Sequence, residues 1–147
     1  MSNYDNSELG QNFRFRMRVD DLNLLWNKVE GLTAQYDIFE WQEGGNNGFV
    51  HRLPGRVKYQ NIKLTRSVDG YSKDIAKWFT KQDNRNRRTT GVITALTMNG
   101  ESGASWSLRG VFPVKYTGPS LDIGGHALGT EVLELAHSGF EFESGGG

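Results

Sequence analysis

A period-two alternation of apolar and charged residues sets the terms for this chain. In Phe13-Arg14-Phe15-Arg16-Met17-Arg18-Val19 the apolar side chains share one parity and the arginines the other. Successive side chains of an extended strand point to opposite faces, so this segment gives a sheet with one dry face and one cationic face. A helix would scatter the same residues around its circumference. Similar runs follow. Leu24–Val29 and Ala34–Gln42 read as strands separated by Gly31, and Arg56–Val68 as a long strand rich in Thr, Ile, Val and Tyr that Asp69-Gly70 ends. Thr89–Met98 runs into Asn99-Gly100, a hairpin signal. The return strand, Ala104–Tyr116, places Trp106, Leu108, Phe112, Val114 and Tyr116 on one face, and its Pro113 suits an edge or a bulge. Glu131–Phe142 is the last strand.

One segment has a different period. Over about 72–82, Tyr71, Ile75, Trp78, Phe79 and Gln82 recur at three- and four-residue spacing, with Lys73, Lys77 and Lys81 on the wet side. Ser72 is the candidate cap and Asp74 falls in the first turn. The expected fold is therefore mainly β. Six to eight antiparallel strands form a closed or sandwiched barrel with one covering helix. The 147 residues suit a single domain, with 1–11 and 143–147 expected to be mobile.

Composition narrows the function classes. There is no cysteine, so disulfides and thiolate metal sites are excluded. The start, MSNYDNSELGQN, has neither a basic nor an apolar signal region, and no apolar run approaches the ~20 residues of a membrane helix. Cytoplasmic synthesis without stable membrane anchoring is the expectation. Net charge is zero but unevenly spread: residues 1–55 carry −3, residues 56–88 carry +7 and residues 89–147 carry −4. A subunit with basic and acidic faces can dock head to tail on its own copies.

Chemistry is sparse. The separations of His51, His126 and His137 match no metal spacing, and no cofactor motif is present. Asp122 and His126 could meet across a loop, but no activated Ser or Thr accompanies them, so no catalytic residue is assigned. The glycine cluster Gly44-Gly45-Asn46-Asn47-Gly48 does not fit a phosphate loop, because no Gly-Lys-Ser/Thr follows and no helix begins after it. It reads instead as a flexible arm. Through Phe49, His51 and a Leu53-Pro54-Gly55 turn it leads into the next strand, and it is the candidate inter-subunit contact. Two charged faces complete the candidates. Arg14, Arg16 and Arg18 form a row that could line a channel or grip a neighbour's acidic groups. Arg85, Arg87 and Arg88, in the loop Gln82–Arg88, would serve a nucleic-acid or polyanion binder if aromatic residues stacked beside them. Trp78 and Phe79 belong to the helix stripe instead.

An ordered set of segments carries a resemblance. A first strand leads to Val29-Glu30-Gly31-Leu32, then Glu43-Gly44-Gly45-Asn46, then His51-Arg52-Leu53-Pro54-Gly55 and Lys58-Tyr59-Gln60-Asn61-Ile62-Lys63-Leu64-Thr65-Arg66. The Trp78 helix, the Trp106 strand ending in Phe112-Pro113-Val114-Lys115-Tyr116-Thr117-Gly118-Pro119, and Glu131–Phe140 follow. Over roughly residues 12–142 the chain resembles the inner-tube proteins of contractile injection systems, including contractile phage tail tubes. The resemblance implies a β-barrel with a flanking helix, like the haemolysin-coregulated protein of type VI secretion. It implies hexameric rings stacked into a hollow tube within a sheath, with no catalysis. Its implied partners are further copies of the chain, sheath protein, baseplate and tube-terminating proteins, and cargo protein or DNA in the lumen. A soluble β-barrel module for nucleic acid or another polyanion is the alternative.

Overall fold

The computed structural model describes residues 14–42, 50–81, 89–97, 99–120 and 129–144. Ten strands and one helix fall among them, against the six to eight strands expected. They are β1 (Arg14–Val19), β2 (Leu22–Trp26), β3 (Lys28–Glu30), β4 (Ala34–Gln42), β5 (Val50–Tyr59), β6 (Ile62–Ser67), the helix α1 (Ser72–Thr80), β7 (Thr89–Leu96), β8 (Ser102–Thr117), β9 (Thr130–Ala136) and β10 (Gly139–Ser144). No helix among the described residues is long and apolar enough to cross a membrane.

Eight strands form one antiparallel sheet in the order β2-β1-β7-β8-β9-β6-β3, with β10 also on β8. The expected closed barrel is met only in part, because these pairings form an open path. Its two ends, β2 and β3, are adjoining stretches of one chain segment that bends at Asn27. There the Asn27 N–H donates to the Thr65 carbonyl at 2.8 Å, and the Asn27 side-chain oxygen accepts the Ser67 N–H at 3.1 Å. The predicted strand Leu24–Val29 is thus two strands, because Asn27 turns its hydrogen bonds from β1 to β6.

The alternation does its expected work where it is strict. Met17 and Val19 are buried and Phe15 is half-buried, while Arg14, Arg16 and Arg18 are exposed. Leu22, Leu24 and Trp26 of β2, Ile62 and Leu64 of β6, Ile93 of β7, Leu108 and Val111 of β8, and Leu133 and Leu135 of β9 join them in one core. Each such side chain contributes roughly 1.5–3 kcal/mol on leaving water. The helix closes one side of this core with Ile75 and Trp78, and Phe79 packs at its margin. Trp78 also donates its indole N–H to Asp20 at 3.1 Å.

Several boundaries depart from the sequence expectation. The long strand Arg56–Val68 is two strands, because the chain leaves β5 at Tyr59 and enters β6 at Ile62. Glu131–Phe142 likewise divides at His137-Ser138, so that β9 pairs the second half of β8 and β10 the first. Along β8, Trp106, Leu108 and Tyr116 face the core side as expected, but Phe112 and Val114 are exposed. Opposite β7, Gly91 meets Leu108 and Thr89 meets Val111, so β8 carries one extra residue there. Gly110 takes it up at φ 61°, a left-handed conformation open to glycine, and the facing pattern reverses. A second irregularity between Pro113 and Lys115 reverses it again, in keeping with the bulge anticipated at Pro113. Tyr71, expected on the helix stripe, is exposed and precedes the first helical turn. Ser72 does not cap the helix. Its hydroxyl accepts the Asp69 N–H at 3.1 Å and donates to Glu131 at 2.8 Å.

That last bond belongs to a buried ionic network. Arg66 is 6% exposed and Glu131 wholly buried. The Arg66 guanidinium donates to Glu131 Oε1 at 2.8 Å, to both Asp69 carboxylate oxygens at 3.0 and 2.8 Å, and to the Leu25 carbonyl at 3.2 Å. It also lies over the Trp26 ring, 5.8 Å from its centroid. Tyr116 donates its hydroxyl to Glu131 Oε2 at 2.7 Å. Burial alone would lower the Arg66 pKa, but the bonds to Asp69 and Glu131 outweigh it and hold the value above the ordinary one. The Asp69 carboxyl is held below its usual range, chiefly by its hydrogen bond from Arg66. Burial and the donated bond to Glu131 push the Tyr116 hydroxyl up to about 12. A folded-state value above the unfolded one stabilises the fold below the unfolded pKa, about 10 for tyrosine, and the gain is lost as pH rises through 12. Ultraviolet titration should therefore show one of the five tyrosines ionising last. In Tyr116→Phe that late step disappears, with a stability cost of about 1–3 kcal/mol from the donor lost to Glu131.

Candidate assembly surface

The strands β4 and β5 form a second, two-stranded sheet that stands apart from the main one. Phe39 lies opposite Leu53, and Trp41 opposite His51. These four share one face, with the Trp41 and His51 rings 5.2 Å apart. The other face carries Ile38 opposite Pro54, and Glu40 opposite Arg52 in an ion pair at 3.3 Å. Nine and ten residues at about 3.3 Å each make a ribbon some 30 Å long.

Nothing among the described residues covers this ribbon. Tyr36, Ile38, Phe39, Trp41 and Leu53 are each more than half exposed. A two-stranded hairpin is marginal alone in water, and so large a set of exposed aromatic and branched side chains marks an interaction surface. The sequence places apolar residues on both parities of Ala34-Gln35-Tyr36-Asp37-Ile38-Phe39-Glu40-Trp41, which a strand buried on one face only does not need.

Local chemistry anchors the ribbon at one end. Tyr59, its last residue, stacks near His137 and Phe140, with centroids 5.4 and 5.5 Å away. His137 Nδ1 accepts the Gly139 N–H at 3.2 Å, which leaves its Nε2–H to donate to the Gln60 carbonyl at 3.0 Å. The Lys58–Asp37 ion pair, 3.2 Å, bridges the two strands where the register shifts between Tyr36 and Ile38.

Of the arm candidates, His51, Leu53, Pro54 and Gly55 lie together on β5. Leu53-Pro54-Gly55 is not a turn. Pro54 sits in the strand beside a bulge, where the two residues Gly55 and Arg56 face Asp37. Gly44, Gly45, Asn46, Asn47, Gly48 and Phe49 lie outside the described residues, as do Arg85, Arg87, Arg88 and His126. Tyr36, Ile38, Phe39 and Trp41 are ribbon residues that the sequence reading did not single out. Arg14, Arg16 and Arg18 lie elsewhere, on the solvent face of β1 in the main sheet. Among the described residues no group of three or more His, Cys, Asp or Glu is arranged to hold a metal ion.

A small closed core bearing a long uncovered apolar ribbon defines a structural subunit that completes its burial in an assembly. The family model of the T4-like virus tail tube protein gp19 matches residues 11–141, and the chain belongs to that family. Solved structures agree. A chain of the sheath–tube complex of the extracellular contractile injection system PVC, in the extended state, is 25% identical. It superposes with a TM-score of 0.76 over 89% of this chain and 88% of that one. A chain of the anti-feeding prophage cap, a tube-terminating cap, gives 22% identity and 0.74 over 89% and 88%. The fold is shared more distantly with Hcp1 from Flavobacterium johnsoniae, at 15% identity and 0.53 over 90% and 96%. No curated protein sequence matches the chain.

Proposed function

We propose that this chain is the repeating subunit of the inner tube of a phage tail or a related contractile injection system. Protomers close into hexameric rings, and rings stack into a hollow tube that sheath contraction drives through a target envelope. The observation that carries this reading is the β4–β5 ribbon, whose exposed Tyr36, Ile38, Phe39, Trp41 and Leu53 need a partner surface. In the tube that partner is a second copy, in the same ring or the next. The bend at Asn27, which ties the end of β2 to β6, suits the subunit to serve as a barrel-like wall unit. The arm residues Gly44–Phe49 extend the same contact. Sheath, baseplate and tube-terminating proteins are the further partners, and the lumen carries protein or DNA. The particle forms in the cytoplasm of the producing cell and is released from it.

The polyanion-binding alternative finds no matching observation, since Trp78 and Phe79 pack towards the core and offer no stacking platform. Negative-stain microscopy of the purified protein, with and without a baseplate seed, tests the main reading. Rings or tubes are expected. Monomers under every condition would overturn it. In Phe39→Ser combined with Trp41→Ser, tube mass should fall at least about tenfold. Folding stability should stay within about 0.5 kcal/mol, because both side chains are exposed in the free subunit. Assembly at the native level would remove the ribbon from the contact.

A further inference from the structure

The solvent face of the main sheet carries a charge gradient laid out in register. In antiparallel pairs, residues directly opposite share a face, so a row of partners can be followed across several strands. One row runs Arg16, Thr94, Ser105, Glu143 across β1, β7, β8 and β10. The neighbouring row runs Arg18, Val92, Ser107, Glu141. On its other side β1 pairs β2, where the rows continue as Leu25 and Asn23. From an exposed arginine one strand inside that edge, each row crosses two smaller uncharged side chains and ends with an exposed glutamate. Three strand spacings separate arginine from glutamate, about 14 Å. That exceeds the screening length of about 8 Å at physiological ionic strength, so the opposite charges do little for one another within a protomer.

The glutamate end is also unfinished. On β10, Phe142 is 62% exposed on the other face, where its ring meets Trp106 edge to face at 5.6 Å. The outer edge of β10 has no partner strand among the described residues. Among the described residues Glu141 is held by a 3.8 Å contact to Arg109, both side chains being mostly exposed, and Glu143 accepts the Ser107 hydroxyl at 3.2 Å. Such surface contacts contribute little and leave both carboxylates available.

A ring is built from heterologous contacts, which need two different, complementary margins on each protomer. We infer that the β10 margin of one protomer docks against the β1–β2 margin of a second copy, Glu143 and Glu141 facing that copy's Arg16 and Arg18. A rotation that carries one protomer to the next continues both rows and sets Glu143 and Glu141 beside Leu25 and Asn23 of the next copy's β2, two strand spacings or about 10 Å from its arginines, a gap that the long side chains span. The same contact covers Phe142 and the free edge of β10. This inference rests on the tube reading, since it assigns the contact that closes the ring.

Charge reversal tests it. Arg16→Glu with Arg18→Glu makes both margins acidic, and Glu141→Arg with Glu143→Arg makes both basic. Each double variant alone should lose rings at least about tenfold in native mass spectrometry and microscopy. Mixing the two should restore rings of strictly alternating composition, and the variant carrying all four changes should ring by itself. Wild-type levels of rings in either double variant would overturn the inference. So would rings restored neither by mixing nor by the fourfold variant, with all proteins showing wild-type unfolding midpoints. Should a reversed variant fail to fold, Arg16→Gln with Arg18→Gln gives the milder form, with a smaller but salt-dependent loss expected. Failure of the wild-type chain to form rings would count against the tube reading itself, and is thereby distinguished.

Discussion

Arg66→Met should destabilise the isolated subunit by about 3–5 kcal/mol, read as a lowered midpoint in urea unfolding. The cost does not come from the loss of attraction alone. Glu131 is wholly buried, and without Arg66 its carboxylate keeps only Ser72 and Tyr116 as donors. A charge left in that position must be desolvated without compensation or take up a proton. Asp69 loses both guanidinium bonds, and the Leu25 carbonyl loses its donor. Arg66 ties β6 to β2, to β9 and to the turn before α1 in one group, so the variant should also loosen the helix. The double variant Arg66→Met with Glu131→Leu should recover much of the loss, because it removes the stranded charge with its partner. Equal stability of the two variants would show that the buried charge is not the source of the cost. The network also responds to acid. Asp69 has a depressed folded-state pKa, so its contribution is present above the unfolded value near 3.8 and fades as pH falls through the lower folded one.

Gly31→Ala should cost about 2–5 kcal/mol, the reverse of what a glycine-to-alanine change does at a permissive site. Gly31 has φ 97°, which costs an L side chain about 1–2 kcal/mol. An added Cβ would also collide with the Asn61 carbonyl oxygen, a backbone atom just before β6 that cannot rotate away. Relieving that clash means shifting β3 against β6, an overpacking cost of about 1–3 kcal/mol. Gly70 provides the control. Its φ is ordinary, and an added Cβ meets nothing within 4 Å. Gly70→Ala should therefore stabilise by about 0.4–1 kcal/mol, through the reduced entropy of the unfolded chain. A similar effect from both substitutions would refute the argument.

The parts of the fold legible in the sequence are those with an uninterrupted period. Phe15, Met17 and Val19 of β1 and Ile75 and Trp78 of α1 go where their spacing sends them. Phe112 and Val114 depart from the face their spacing predicts because a single glycine, Gly110, inserts one residue and reverses the pattern, and nothing local distinguishes it from a glycine that does not. Breaks at Asn27, Gln60-Asn61 and His137-Ser138 have no local sequence signal for a related reason. Each is set by a change of partner strand, which is a tertiary fact. The buried network did leave a trace. Arg66 shares parity with Ile62 and Leu64, and Glu131 with Leu133 and Leu135, so two opposite charges stand on core-facing positions of facing strands. For the ribbon, the glycine-rich segment Gly44–Gly48 lies between its two strands in sequence, outside the described residues. The aromatic residues of β4 look like those of any strand in the sequence, because exposure cannot be read before the partner sheet is known.

The uncovered ribbon bears on how the particle grows. Its backbone hydrogen bonds have no packed layer above or below them among the described residues, so in a free protomer they open at small free-energy cost, while those of β6 and β9 open only with the whole domain. Amide exchange should then be fast along β4 and β5 in monomers and slow in assembled material. Apparent stability of the ribbon will rise with protomer concentration by mass action. A growing end would thus discriminate by time: a subunit that docks badly leaves its ribbon open and dissociates, and one that docks well is held. Proofreading of the tube would reside in the least stable part of its building block.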